Sequence, residues 1–215
     1  MPALHSPPAD SPKKPTRRVQ ERTETMRASL IEAGKSLFSD RGFDAVSVRD
    51  IESLAGAKRN SLSYHFGDKE TLWKASADAI CSLMKLEFDK RLAIMKEISQ
   101  QETLALLVRF YVRFHAHNPQ LSRLMSQEAT QRSWRSKHLV DTHIRPSAKE
   151  IESLIHVTKG MDREYFIHWY YIMTSGSSNI FVFASQCEDL FGVNPTEESM
   201  IEKHAEILVS MLLGK

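Results

Sequence analysis

The residues of this chain best equipped for chemistry fall between positions 47 and 69. Lys58, Arg59 and Asn60 stand in a row and Ser63 follows, so that ammonium, guanidinium, amide and hydroxyl donors crowd one short segment. Donors grouped in this way on a slim helix can enter the major groove of B-form DNA and read base edges. Around them Ser47, Tyr64, His65 and Lys69 supply hydroxyls, an imidazole and a second ammonium. Such groups at helix ends hold phosphate oxygens on either side of a groove. A solvated helical hairpin would carry the same charges, yet it would not call for consecutive basic residues at one end of a polar helix and an aromatic pair at the other.

Positioning these groups takes two short helices and a turn. Ser47 and Asp50 have capping-box spacing and open a helix carrying Val48, Ile51 and Leu54, which ends at Gly56. A second helix, over Lys58 to Phe66, has only Leu62 and Phe66 as large apolar residues at helical spacing, so it buries one narrow stripe and shows the rest. Ahead of them Leu30, Ala33, Gly34, Leu37 and Phe38 mark one face of a helix from about Thr23 to Arg41, with Gly42 as its stop. Asp68 caps a long helix through Leu72, Trp73, Ile80, Leu83, Met84, Phe88 and Leu92, continuing to about Ile98. Leu104 to His117 form another, Asn118-Pro119 opens one through about Gln131, and Asn194-Pro195 opens the last, with Ile201, His204, Ala205, Leu208 and Leu212 on one face. Alternating apolar and polar runs are missing, so the fold class is all-α.

Charge supports this division. The net of +2 conceals a gradient: residues 13–74 hold thirteen basic against nine acidic side chains, and residues 75–215 sixteen against seventeen. A basic excess confined to the first third suits a polyanion partner there. We therefore divide the chain into a disordered, Pro-rich basic tail over 1–22, a helix-turn-helix DNA-binding domain over 23–75, and a larger helical domain over 76–215. Arg17, Arg18 and Arg22 form a basic arm suited to the minor groove.

Several function classes fall away. Cys81 and Cys187 are far apart with no metal-type spacing around them, which excludes a disulfide scaffold and a zinc ribbon. His115-x-His117 and His138-x4-His143 suggest metal spacing, but no HExxH, P-loop, GxSxG or glycine-rich dinucleotide loop accompanies them. No enzymatic activity, metal or cofactor is expected. The N-terminus lacks an apolar signal sequence, and the stretch Phe166 to Cys187, though free of charged residues, is broken by His168, Ser175, Gly176 and Asn179. It reads as a buried helix packed on more than one side, no membrane association is expected, and the expected compartment is the cytoplasm.

The run Ala33 to Leu72, AGKSLFSDRGFDAVSVRDIESLAGAKRNSLSYHFGDKETL, resembles the DNA-binding domain of TetR/AcrR-family transcriptional regulators. The LFSDRGFDAVSVRDI segment, the AG turn and LSYHFGDKE carry the likeness. In departure from the family pattern, Gly34 and Glu52 each replace an alanine, and Lys58-Arg59-Asn60 replaces a stretch that is more often serine, a variable residue and glycine. The resemblance implies a three-helix N-terminal domain and a larger C-terminal domain for ligand binding and dimerisation. It also implies a homodimer on a palindromic double-stranded DNA operator, acting as a repressor released by a small-molecule effector. It places base reading on Lys58, Arg59, Asn60 and Ser63, and phosphate contacts on Ser47, Arg49, Tyr64, His65 and Lys69. A ligand-independent architectural protein on the same fold is the alternative, and a helical enzyme a more distant one.

For the larger domain, Phe110, Tyr111, Phe114, Met125, Trp134, His138, Trp169, Tyr170 and Met173 are candidate pocket walls, each of which also reads as ordinary core. Met161 to Phe191 and Pro195 to Leu213 are the dimerisation candidates, with Ser175, Ser178 and Ala184 small enough for close approach. The helix that starts near Lys69 belongs to both domains and would convey a ligand's effect.

Overall fold

The computed structural model describes residues 17–95, 97–159 and 162–214. Eleven α-helices and one π-helical turn make up the described fold, with no strand among these residues. The first is α1 (Arg17–Arg41), followed by α2 (Val48–Leu54), α3 (Ser61–Phe66) and α4 (Lys69–Met95). At 27 residues α4 reaches about 40 Å, enough to serve both halves of the molecule. Then come α5 (Gln100–His117), α6 (Pro119–Ala129), α7 (Trp134–Leu139), a π-helical turn (Val140–Ile144) and α8 (Arg145–Lys159). The chain closes with α9 (Arg163–Val182), α10 (Ala184–Phe191) and α11 (Glu198–Leu213).

The first four helices form the N-terminal domain around Leu30, Phe38, Ile51, Leu62, Phe66, Leu72 and Trp73, all buried. Helix α1 starts earlier than its apolar face suggests. Residues 17–22, expected in the tail, form its first turns, because Arg, Gln and Glu after Pro15 are good helix formers that need no buried face. Arg22 is exposed on that helix instead of in an extended arm. The side chains of Arg17 and Arg18, and residues 1–16, lie outside the described residues.

Gly34 accounts for how tightly α1 crosses α4. A Cβ at this position would sit 2.4 Å from the Ser76 hydroxyl oxygen, and that hydroxyl donates to the Leu72 carbonyl at 2.9 Å. Gly34→Ala is therefore expected to cost about 1–3 kcal/mol through overpacking, offset by about 1 kcal/mol of helix propensity. In a Ser76→Ala background the same change should cost less, the Phe38 ring still lying 3.3 Å from the new Cβ, a coupling that urea denaturation of the four variants would measure.

In the C-terminal domain the helix enclosed on most sides is α5. Leu104, Leu107, Val108, Phe110, Tyr111, Val112, Phe114 and His115 are all buried along it. The expectation that Phe166 to Cys187 form one enclosed helix is corrected twice. The segment breaks at Phe183 between α9 and α10, and α9 buries Phe166, Trp169, Met173 and Ser177 while leaving Tyr171 and Ile172 exposed. No described helix is long and apolar enough to cross a membrane. Cys81 is buried and Cys187 half-buried, and both are free.

Two Asn-Pro marks behave differently from a simple N-cap. Asn118 stands at the N-cap of α6 ahead of Pro119, but its side-chain amide turns back to the Phe114 carbonyl at 2.9 Å and finishes α5 without a side-chain bond to α6. Asn194 accepts from the Thr196 amide and hydroxyl, so Pro195 sits in an Asx turn and α11 begins only at Glu198.

His115 is buried with its Nδ1 2.7 Å from the Ser122 hydroxyl, and burial pushes its pKa down from 6.5 to about 4. An unfolded chain takes up a proton at this site below about pH 6.5, whereas the folded one resists until about pH 4, so stability is complete above 6.5 and lost as pH falls through that window. The loss reaches about 3 kcal/mol at its lower end. Urea midpoints followed from pH 7 to pH 4 should fall less steeply in His115→Asn than in the parent.

Candidate nucleic-acid interface

Helix α2 is opened by a complete capping box. The Asp50 amide donates to the Ser47 hydroxyl at 3.1 Å, and the Ser47 amide and hydroxyl donate to the Asp50 carboxylate at 2.9 and 2.6 Å. Those bonds from Ser47 hold the Asp50 carboxyl below its ordinary pKa, so the box is formed at neutral pH. Ile51 anchors α2 in the core, and Leu62 and Phe66 anchor α3. Ser47, Arg49, Lys58, Arg59, Asn60, Ser63 and Tyr64 are all exposed, and Tyr64 keeps 79% of its surface.

Lys58 and Arg59 do not form the first turn of the second helix, as the spacing suggested. They lie in the turn before it, and Asn60 is the N-cap of α3 with φ +68°. This left-handed backbone is the physical reason for the shorter helix. It also explains the departure at a position where the family more often has glycine, since Asn is one of the few other residues that tolerate it. Asn60 makes no side-chain cap, so its amide remains free to project outward. The missing cap comes from α2. Glu52, itself buried, accepts the Leu62 amide at 3.0 Å, which accounts for a carboxylate where the family has alanine. Glu52→Ala is expected to leave that amide orphaned and cost about 1–3 kcal/mol, whereas Glu52→Gln keeps a carbonyl acceptor. Hydrogen exchange at the Leu62 amide should accelerate only in the alanine variant.

Lys69 also has a structural role that its spacing does not announce. Its Nζ donates to the Phe43 and Val46 carbonyls at 2.9 Å each and lies 4.0 Å from the centre of the Phe43 ring. The ammonium thus fastens the loop after α1 to the start of α4. His65 is half-buried with its ring edge-on to Tyr64. Its carbonyl accepts from Arg27 at 2.9 Å, while the Arg27 guanidinium covers the Phe66 ring at 4.2 Å. Sequence reasoning missed Arg27, because a lone arginine on the polar side of α1 gives no sign of the helix end it will clasp.

The exposed row from Arg49 to Tyr64 lies inside residues 30–75, the part of the chain that matches the model for bacterial regulatory proteins of the tetR family. The likeness to the tetR family lies in this segment. Among curated relatives, the transcriptional regulator TtgR of Pseudomonas putida is 36% identical over 64 residues, 30% of each chain. The transcriptional repressor KstR2 of Mycobacterium tuberculosis is 38% identical over 55 residues, 26% of this chain and 28% of the relative. The matched region thus spans less than a third of these relatives. A likeness in fold alone extends further. The fatty acid degradation regulator FadR of Bacillus halodurans superposes with a TM-score of 0.62 at 17% identity, covering 85% of this chain and 97% of that one. A TetR-like regulator from Rhodococcus sp. RHA1 gives 0.61 at 16% identity, covering 93% and 97%.

Beyond the matched segment the expected pocket residues are scattered. A cleft of about 350 Å³ opens beside α4 and α5, bordered by Phe110 and Phe114 together with Glu87, Arg91 and Arg113. The other seven lie away from it. Tyr111, Trp169 and Met173 are core, Met125 packs against the core, and Tyr170 stacks obliquely on Phe166. Trp134 and His138 lean on Trp73 of α4. Burial raises the Tyr111 and Tyr170 hydroxyls above their ordinary pKa, so both stay protonated. The N-terminal domain is braced from behind by α6 and α7 as well as by α4. Arg123 pairs with Asp40 at 2.8 Å, Gln127 donates to the Ser39 carbonyl at 2.8 Å, and Arg135 joins Asp44 to the buried Glu128.

Proposed function

We propose that this chain is a ligand-responsive transcriptional repressor that binds a palindromic operator as a homodimer in the cytoplasm and is released by a small molecule, with no enzymatic activity. The observation that carries the reading is the row Lys58, Arg59, Asn60, Ser63 and Tyr64. It is exposed at the start and along the outer side of a helix held by Leu62 and Phe66, within the segment that matches the tetR family. Lys58, Arg59, Asn60 and Ser63 read bases, and Ser47, Arg49, Tyr64, His65 and Lys69 hold phosphates.

Dimerisation is supported by the apolar surface left on the last helices. Tyr171 and Ile172 on α9, Leu190 and Phe191 on α10, and Ile207 and Met211 on α11 are each at least 48% exposed, more large apolar surface than isolated exposed residues would give. Ser175, exposed on α9, permits close approach of a partner helix. A two-fold axis through this face sets two α3 helices against successive major grooves about 34–36 Å apart. The cleft bordered by Phe110, Phe114 and Arg91 is the seat we assign to the effector, since its apolar wall carries a few charged handles.

Footprinting of the purified protein on DNA flanking its own gene tests the reading. A protected palindrome with two half-sites one helical turn apart is the expected result. Protection without sequence preference would overturn it in favour of the architectural alternative.

A further inference from the structure

Away from the proposed DNA face and the cleft, three metal-ligating side chains converge from three elements. Asp78 of α4, His138 of α7 and His143 of the π-helical turn place their ligand atoms within 4.8 Å of one another. Both imidazole Nε2 atoms lie 2.7 Å from the same carboxylate oxygen, Asp78 Oδ1. The two rings are largely covered, with side chains 19% and 17% exposed, while Asp78 at 41% opens one side to solvent.

The backbone is built around this meeting. In an α-helix, residues five apart point about 140° away from each other. Here the chain switches to a π-helical turn over Val140–Ile144, whose wider i to i+5 repeat brings His143 to the same side as His138. Such turns are uncommon and recur at functional sites. The rings meet at 6.1 Å between centroids, nearly perpendicular, so their Nε2 atoms approach the carboxylate from two directions.

We propose that Asp78, His138 and His143 bind a first-row divalent transition-metal ion, with Zn²⁺ the best fit, which pins the π-helical turn to α4. Two neutral imidazoles and one carboxylate are borderline ligands of the kind Zn²⁺ accepts. At metal–ligand distances of about 2.0–2.2 Å in tetrahedral geometry, neighbouring ligand atoms stand about 3.3 Å apart. The two 2.7 Å contacts therefore need to open by only about 0.6 Å, within the reach of small side-chain rotations. The open side at Asp78 leaves room for water as fourth ligand. Two imidazoles sharing one carboxylate by hydrogen bonds alone is the competing arrangement, and it predicts no metal affinity.

The site sits where occupancy would be felt. Helix α7 carries Trp134, edge-on to Phe43 at 5.4 Å and to Trp73 at 5.2 Å, and Arg135, paired with Asp44. Fixing the π-helical turn to α4 thus steadies the support behind the N-terminal domain. Metal binding itself stands independently of the DNA reading, because it is measured on the free protein.

The test uses the full chain stripped with a chelator and titrated with Co²⁺ while the visible d–d absorption is followed, with Zn²⁺ as competitor. One tightly bound equivalent per chain, displaced by Zn²⁺, is expected. It should be lost in Asp78→Asn and in His138→Asn/His143→Asn, and kept in His117→Asn, whose ring bonds the Arg113 carbonyl. No visible band in the parent, or an undiminished band in the double variant, would overturn the proposal. Should the variants misfold by circular dichroism, copper-catalysed oxidation of the unaltered protein, mapped by mass spectrometry, decides the matter. Oxidation concentrated at His138 and His143 supports the site, and oxidation only at other histidines rejects it.

Discussion

Trp73→Ala is expected to destabilise the protein by about 3–5 kcal/mol, the range for emptying a large aromatic site in a packed core. Trp73 has no exposed surface. It lies on α4, where the N-terminal domain meets α7, edge-on to Trp134 at 5.2 Å and to His138 at 6.1 Å. Removing it leaves Leu72 and Ala77 in place but deprives Trp134 of one of its two aromatic supports, the other being Phe43. A domain's whole stability is about 5–15 kcal/mol, so the variant should approach the threshold of folding. The indole Nε1 is buried with no hydrogen-bond partner among the described residues. Trp73→Phe therefore surrenders no hydrogen bond and should recover most of the loss. Urea unfolding of the three proteins measures this: the midpoint should drop far more for alanine than for phenylalanine, with the slope unchanged.

What was legible in the sequence follows from which interactions are local. Ser47 and Asp50 cap a helix three residues away, Gly42 closes α1 on the Phe38 carbonyl, and Leu62 and Phe66 share a face one turn apart, so spacing alone predicts them. The structural role of Lys69 is not legible in the sequence, because its partners, the carbonyls of Phe43 and Val46, are 26 and 23 residues away. An ammonium at a helix start looks the same whether it turns outward or inward. Glu52 illustrates the converse. It was visible as an oddity, but its purpose needed the left-handed turn at Asn60 that leaves the Leu62 amide without a local cap. Residues 132–160, where α7, the π-helical turn and α8 lie, show no continuous helical period in the sequence. A π-helical turn shifts the apolar period midway, so neither side of it continues the pattern of the other. His138 and His143 could be paired by eye, but Asp78, 60 and 65 residues distant, could not.

Replacing Lys58 and Arg59 is where the proposed function meets its sharpest test. Arg59 and Lys58 are exposed in the turn that leads into α3, the end of a recognition helix that approaches base edges. Each bidentate contact to a base is worth about 1–3 kcal/mol, and a dimer makes each contact twice. Arg59→Ala should therefore weaken operator binding by about 2–6 kcal/mol, roughly 30- to 10⁴-fold. Binding to scrambled DNA should weaken far less, because non-specific affinity is carried by phosphates. Arg49→Ala and Tyr64→Ala should do the opposite, lowering affinity for operator and scrambled duplex alike, with Arg49→Ala also reducing the salt slope by about one per half-site. Fluorescence anisotropy with both duplexes at two salt concentrations separates these outcomes. An equal loss on both duplexes for Arg59→Ala would assign that residue to the backbone and leave base reading to Asn60 and Ser63. The variant should fold as the parent does, since the Arg59 side chain lies in solvent and α3 is held from below by Leu62, Phe66 and Glu52.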